Sequence, residues 1–562
     1  MEQWIFPGVI VFLILVFYVS GRISRMNKLK TLRQFLQENY GTLPENEMHA
    51  SDFERIGKYH EKVAGNDLQD CFVIDDITWN DLNMNEIFAM CNATQSSVGE
   101  EFLYHMLHCM SLKEDNGFYE LMEYFLTHEE DRISMQMELH ALGKIKNFSI
   151  TDILGYAKDL KEEKNLKHYV MDALLLLSIA LIFVWPGIGV LMLVVMIAYS
   201  VISYYQGKAK ITPYFTTFFY IHRMLGVAEK IKALHHIAGQ EELEKLDEII
   251  RSCRVFKKNM FFLSGNVQFS SNIFDLLFDY IRILFHIDII KFNSMLSFLK
   301  THDEEIETLR RILGKYDAAI AVGNLRKALP ELTRPEFVSE KVIEVKEAFH
   351  PLLHDPVKNS IRADGGILIT GSNASGKSTF IKTVAICALL AQTVQLVPAL
   401  SYKACRVRLM TSMALTDQIL KGESYFIVEI RSLKRILDQS GLNGAPVLCF
   451  IDEVLRGTNT VERIAASSRI LAELDQKNIL TFAATHDIEL TKILKNRFTN
   501  YHFEEEIDEN DVRFNYRLME GPSATKNAIR LLALTGFGDE VIREAEEAAA
   551  GFLSTNRWGV IP

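Results

Sequence analysis

The sequence has no surplus of positive charge. Across 562 residues, 61 Lys and Arg stand against 72 Asp and Glu, a formal net charge of -11. A chain held to nucleic acid by its overall field is thereby excluded, and any contact with DNA has to use a local basic patch. Paired cysteines are lacking as well. The 7 cysteines (Cys71, Cys91, Cys109, Cys253, Cys387, Cys405 and Cys449) are scattered, and none falls in a Cys-x-x-Cys pair. That spacing argues against a zinc site or a disulfide framework and fits a reducing compartment. Cys387 and Cys449 lie in apolar runs and read as packed core thiols. No internal repeat and no low-complexity tract stands out. Charged residues make up 24% and hydrophobic residues 48%, which excludes wholesale disorder.

Charge is also nearly missing locally, in two places, of which the first has none and the second only Asp172 near its boundary. Trp4 to Gly21 is apolar throughout. About 18 residues at ~1.5 Å rise give ~27 Å, close to the ~30 Å hydrocarbon core of a bilayer. Arg22, Arg25, Lys28, Lys30 and Arg33 follow at once, which puts the C-terminal side in the cytoplasm. A cleaved signal peptide has its basic residues first; the reversed order here predicts a retained anchor with its N-terminus outside. The second place is Tyr169 to Tyr205, broken by Trp185-Pro-Gly-Ile-Gly189. Pro and Gly there mark a turn between two spans. Lys161, Lys164 and Lys167 precede the pair, and Lys208 and Lys210 follow it. Basic flanks on both sides predict a hairpin with both ends cytoplasmic.

These runs divide the chain. Residues 1–22 read as a transmembrane anchor, 51–168 as a mostly helical segment, 169–206 as the transmembrane hairpin and 207–335 as a lever of long helices. From 336 to 562 strands and helices alternate, the pattern of an α/β nucleotide-binding domain. Phe274 to Phe298 reads as one aromatic-rich helical stretch whose rings fill a core rather than stack on a ligand.

Gly371-Ser-Asn-Ala-Ser-Gly-Lys-Ser378 fits the G-x-x-x-x-G-K-[ST] phosphate loop. The short apolar strand Gly366 to Thr370 precedes it, and an apolar helix from Thr379 follows. Glycines let successive backbone N–H groups turn toward a phosphate, and the helix N-terminus adds partial positive charge. Gly371, Ser372, Asn373, Ala374, Ser375, Gly376, Lys377, Ser378 and Thr379 therefore form the expected ATP cradle. Lys377 reaches the β- and γ-phosphates, and the Ser378 hydroxyl is a ligand for Mg²⁺. Val447-Leu-Cys-Phe-Ile-Asp-Glu453 is an apolar strand ending in two carboxylates. Asp452 is expected in the Mg²⁺ shell, through water, and Glu453 beside the γ-phosphate, polarising the attacking water. Leu480-Thr-Phe-Ala-Ala-Thr-His486 ends in a histidine placed to sense the γ-phosphate.

These blocks together resemble the MutS mismatch-repair ATPases, an ABC-type branch of P-loop NTPases. The resemblance rests, in order, on Gly371 to Ser378, Asp417-Gln-Ile-Leu-Lys-Gly-Glu-Ser-Tyr-Phe-Ile-Val-Glu429, Ile451-Asp-Glu-Val-Leu-Arg-Gly-Thr-Asn-Thr460 and Ala484-Thr-His-Asp-Ile-Glu-Leu490. Gly521 to Gly536 is similar to the family's C-terminal helical element, and Thr94-Gln-Ser-Ser-Val-Gly-Glu100 to the start of its helical core. The resemblance implies an α/β P-loop NTPase of the ABC/MutS type behind a mainly α-helical core and lever region; the transmembrane helices read from the apolar runs are an addition to it. It implies a homodimer in which Ser424 of one copy completes the ATP site of the other. It makes His486 the switch histidine and His502 the residue that contacts adenine. The family's aromatic adenine stacker falls near Val357, which is not aromatic.

Gly117-Phe-Tyr-Glu120 matches the family's mismatch-reading Phe-x-Glu motif, yet no separate N-terminal domain precedes it. Phe118 is therefore expected to be a core or surface aromatic and not a mismatch wedge. Three outputs stay open: a tethered clamp or sensor on mismatched or structured DNA, a membrane ATPase acting on a protein or membrane partner, and an ABC-type transporter. The transporter ranks last, because the spans carry almost no polar residues from which to build a pathway. The ATPase half is expected at the cytoplasmic face of the cell membrane. The acidic run Glu504 to Asp511 reads as a solvated loop.

Overall fold

The computed structural model describes residues 5–560 except 46, 66–70, 115, 235–238, 264–272, 373–374, 414–424, 442–443, 457, 508–511, 524–528, 530–531, 533–536 and 556. The chain divides into two compact units.

The first unit takes Met1–Val63, Cys91–His105 and Asn116–Ala328 and is built mainly of helices. Helix α1 runs Ile5–Glu38. Helices α2, Leu166–Val184, and α3, Pro186–Ile211, form the hairpin. Pro186 opens α3 at a position where its missing N–H leaves no helical bond unmade. Two stretches of described helix, Leu166–Val184 and one within Pro186–Ala233, are long and apolar enough to cross a membrane, and only 22% and 17% of their apolar windows is buried.

Beyond the hairpin, the expected single stretch Phe274 to Phe298 is two helices. His286 adopts a left-handed φ of 48° and separates Ile273–Leu284 from α4, Ile287–Thr301. The break is held by charge. Asp288, in the first turn of α4, accepts from Arg282 at 2.7 and 2.9 Å and from the Tyr204 hydroxyl at 2.7 Å. Helix α5, Asp303–Ala328, is long because its apolar face stays buried through Leu309, Tyr316, Ile320 and Leu325. Asp317 on α5 accepts backbone N–H bonds from Gln95 (2.9 Å) and Ser96 (2.8 Å), satisfying the start of the helix Ser97–His108. Burial raises the Asp317 carboxyl to about 6. Phe118 is buried in the first turn of Gly117–Thr127, the core alternative of the two that the sequence left open.

The second unit takes Ala64–Met90, Met106–Asp115 and Leu329–Pro562. Its two early segments join the rest of the unit by polar contacts that no sequence period signals: in the second of them the Ser111 carbonyl accepts from Gln392 (3.1 Å) and Arg406 (3.0 Å). Asp81 accepts from the Thr411 hydroxyl (2.6 Å) and the Met413 N–H (2.9 Å), and Asp75 pairs with Arg435. The centre is a six-stranded sheet of β1 (Gly366–Thr370), β2 (Arg408–Ser412), β3 (Val447–Asp452), β4 (Ile479–Ala484), β5 (Phe498–His502) and β6 (Met519–Glu520). The order is β2-β3-β4-β1-β5-β6; the first five strands are parallel and β6 is antiparallel at the edge. Strands buried on both faces need continuous apolar runs, which β1, β3 and β4 supply. Helices α6 (Lys377–Thr393), α7 (Tyr425–Ser440) and α8 (Thr460–Asp475) flank it. Leu368, Ile436, Cys449, Ile451 and Leu471 share one core cluster. Cys387 and Cys449 are both fully buried, and all seven cysteines are free thiols. A four-stranded sheet, in the order Glu336–Phe337, Ser401–Ala404, Ile343–Ala348, Asn359–Ala363, completes the unit.

Candidate functional site

Parallel pairing decides where the site forms. β1, β3 and β4 all end at the same edge of the sheet, so the residues that follow them converge there. The loop after β1 needs its glycines. Gly371 (φ 146°) and Gly376 (φ 104°) both hold left-handed backbone. A Cβ on Gly371 would meet the Phe503 carbonyl at 2.7 Å. Lys377 opens α6, and its Nζ donates to the carbonyls of Gly371 (2.8 Å) and Ser372 (2.6 Å). Burial lowers the Lys377 pKa against the opposing pull of Asp452, Glu453 and Glu505.

Ser378 Oγ donates to Asp452 Oδ2 at 2.6 Å. Burial raises the Asp452 carboxyl. Glu453 stands on a left-handed residue (φ 58°) just past β3, anchored by its N–H to the Ala484 carbonyl at 2.9 Å. Its carboxylate meets His486 Nδ1 at 3.3 Å and Arg456 Nε at 2.8 Å. The hydrogen bond from His486 lowers the Glu453 pKa, and the same bond raises that of His486. Asp487 beside it is fixed by Arg463 through bonds of 2.7 and 2.9 Å.

These shifts set a pH window. Glu453, depressed, stays ionised until the pH falls through its lowered pKa; His486, raised, stays charged until the pH rises through its own. The pair is therefore intact between the two. Replacing His486 by Asn removes the largest depressing influence on Glu453. The acid limb of the turnover profile is expected to move to higher pH in His486→Asn, and an unmoved limb would disconnect Glu453 from that limb.

A cavity of about 760 Å³ opens over this cluster. Lys377, Ser378, Thr379, Asp452, Glu453 and Arg456 line one side, and His350, Leu353, Val357, Phe503 and Tyr516 another. Asn373, Ala374 and Ser424 lie outside the described residues. Among the other sequence-derived candidates, Lys377, Ser378, Asp452, Glu453 and His486 come together, with Gly371, Ser372, Ser375, Gly376 and Thr379 around them. His502 does not join them. It is not in the cavity lining; its Nδ1 lies 2.8 Å from the Gly521 carbonyl and its Nε2 3.1 Å from Glu504. As the last residue of β5 it is drawn back against β6 rather than toward the cavity.

Three contributors went unread in the sequence. Arg456 was legible, since it lies one turn beyond Glu453. Tyr516 was not: it reaches the cavity because Asn359 binds both its carbonyl (2.9 Å) and the Leu518 N–H (2.8 Å), and its ring crowds Gly376. Glu429 is buried, and its carboxylate accepts the N–H of Leu455, a second left-handed residue (φ 62°) two positions after Glu453. It so holds the turn that aims Glu453.

The residues fit a nucleoside triphosphate with Mg²⁺. The glycines make a cradle that a Cβ would fill, Ser375 Oγ is a buried hydroxyl without a partner, and the Ser378–Asp452 pair is a hard oxygen donor set. Sheet and site together define an α/β domain of the phosphate-loop class. Residues 367–552 match the family model of MutS domain V. The chain is similar to the DNA mismatch repair protein MutS of Desulforapulum autotrophicum, 30% identical over 258 residues, covering 43% of this chain and 28% of that protein. It is 35% identical over 190 residues to DNA mismatch repair protein MutS 2 of Haloarcula marismortui, covering 33% and 19%. To MutS of Thermus aquaticus it is 28% identical over 267 residues, covering 47% and 32%. The chain thus spans a third or less of the length of these curated relatives.

Proposed function

We propose that this chain is a membrane-tethered, MutS-like ATPase whose ATP site is shared between two copies. The observation that carries the reading is the gathering of Lys377, Ser378, Asp452, Glu453 and His486 at one sheet edge. Bound Mg²⁺ would neutralise phosphate charge. The chain's own residues do the rest. Backbone N–H groups of the loop from Gly371 and the Lys377 ammonium would hold the phosphates, and Ser378, with Asp452 through water, would hold the metal. Glu453, kept anionic by His486 and Arg456, accepts the proton of an attacking water. Turnover is expected to require Mg²⁺; phosphate release that ignores chelation of the metal would sink the reading.

Two copies are invoked because Ser424, in Gly422-Glu-Ser-Tyr-Phe, matches the residue that the MutS resemblance sends to a second protomer. In a mixture of Ser424→Ala and Lys377→Ala chains, a mixed dimer restores one intact site of its two. Activity of the mixture is expected to exceed that of either variant alone. If it equals their average, the site is not shared.

For the output, the apolar hairpin favours a membrane-side role, in which ATP-driven closure of the dimer is passed through the helical unit to a protein or lipid partner. DNA is the rival, supported by the names of the relatives and opposed by the net charge of -11. The buried Phe118 is unavailable as a mismatch wedge. Detergent-solubilised protein is expected to show no salt-sensitive binding to duplex, mismatched or branched DNA. A steep fall of affinity with salt for any of them would reverse the order of the two readings.

A further inference from the structure

A second cavity lies at the open end of the hairpin, where α2 begins and α3 ends. Its volume is about 480 Å³. Lys161, Lys167 and Lys210 line it, Glu163 is the one carboxylate among its lining residues, and Phe292 of α4 contributes to an apolar side. All three lysines are exposed and none is paired with a carboxylate among the described residues. His168, also in the lining, is 5% exposed, and its Nδ1 has no hydrogen-bond partner. Three cations around a buried, unsatisfied ring nitrogen make a receptor for an anion with several oxygens.

The neighbourhood says which anion. From the cavity toward the turn at Trp185, the hairpin exposes Leu176, Leu177, Phe183, Leu191, Val194 and Val195, each half-exposed or more. An apolar surface of that extent continuous with a cationic pocket matches an amphiphile rather than a freely soluble ion. Basic pockets beside membrane helices at headgroup depth are complementary to lipid phosphates.

We propose that this pocket binds the phosphate-bearing headgroup of an anionic lipid. Lys161, Lys167 and Lys210 supply the charge, the Nδ1–H tautomer of His168 donates to a phosphate oxygen, and the acyl chains lie along α2 and α3. The proposal rests on the reading of the hairpin as membrane-spanning. It makes the hairpin a lipid-sensing element and not merely an anchor.

The test uses the full chain in nanodiscs of mixed phosphatidylcholine and phosphatidylglycerol, with retained lipids identified by native mass spectrometry. Wild type is expected to keep phosphatidylglycerol with about tenfold preference, as charge-steered headgroup binding predicts. The triple variant Lys161→Gln, Lys167→Gln, Lys210→Gln is expected to lose the preference, and His168→Ala to weaken it with all three lysines in place. Lys28→Gln with Lys30→Gln, which removes basic residues elsewhere, is the control. If that pair lowers the preference as much as the triple variant, diffuse charge explains the result and the pocket is overturned. Glycerol phosphate binding to lipid-free protein in detergent as tightly as the lipid binds would overturn the lipid source in favour of a soluble phosphate ester. Unchanged ATP turnover and helical circular dichroism in the triple variant separate a lost site from a misfolded chain. Protein recovered entirely without detergent would defeat the membrane reading itself, whereas insertion without lipid preference defeats this proposal alone.

Discussion

Replacing Glu453 by Gln is expected to reduce ATP turnover by roughly 10²–10⁴-fold, the range of a positioned general base. Binding of the nucleotide should persist, because the amide keeps the size of the side chain and the phosphate cradle is untouched. The argument is geometric. Glu453 sits one residue past the metal-side carboxylate Asp452, on a left-handed residue, and two cationic partners at 2.8 and 3.3 Å hold it ionised. An amide there cannot take a proton. Lys377→Ala should cost roughly 10²–10³-fold, because it removes a preorganised cation at developing phosphate charge. It differs in kind: the Lys377 change weakens nucleotide binding too. Single-turnover phosphate release and equilibrium binding of a fluorescent ATP analogue separate the two. Wild-type rates in both variants would remove the site from this cavity.

The second large effect concerns the helical unit. Arg310→Ala is expected to destabilise that unit by about 3–5 kcal/mol, the range for removing one partner of a buried ion pair. Arg310 and Glu101 are almost completely buried and paired with each other. Arg310 also donates to the Thr151 hydroxyl at 2.7 Å and covers the ring of Tyr59, and Glu101 accepts from the Ile150 N–H at 3.1 Å. Truncating Arg310 leaves a carboxylate buried without its cation, together with a cavity. The double change Arg310→Met with Glu101→Leu should recover most of the loss, because an apolar pair of similar volume has no charge to desolvate. Urea unfolding followed by circular dichroism measures both. A loss below about 1 kcal/mol for Arg310→Ala, the level of an exposed pair, would show that the pair is solvated.

The sequence by itself determined which residue types are available to the site and the α/β class of its scaffold. A glycine-flanked Lys-Ser, an apolar strand ending in Asp-Glu and another ending in His each announce a function through local spacing. Local spacing is what a short motif encodes. The hairpin turn was legible at Trp185-Pro-Gly for the same reason, since proline cannot continue a helix from within. The parallel sheet could be read from uninterrupted apolar runs, because strands covered on both faces have no polar side to show.

Tertiary structure decided what depends on partners far along the chain. The order β2-β3-β4-β1-β5-β6 is what brings Asp452 to Ser378, 74 residues apart in sequence, and no local period encodes that pairing. The same holds for segments 64–90 and 106–115, which join the second unit through the buried Asp81 and through the Ser111 carbonyl respectively, not by any pattern of their own. His502 and Tyr516 illustrate the limit in one strand edge. β5 pairs with β6, which ties His502 to Gly521 while Asn359 carries Tyr516 to the cavity. The break at His286 likewise needed Tyr204 from another helix to complete the cage around Asp288. Residue type fixes what a group can do. Which groups meet is settled by hydrogen bonds and burial between segments that the chain itself keeps apart.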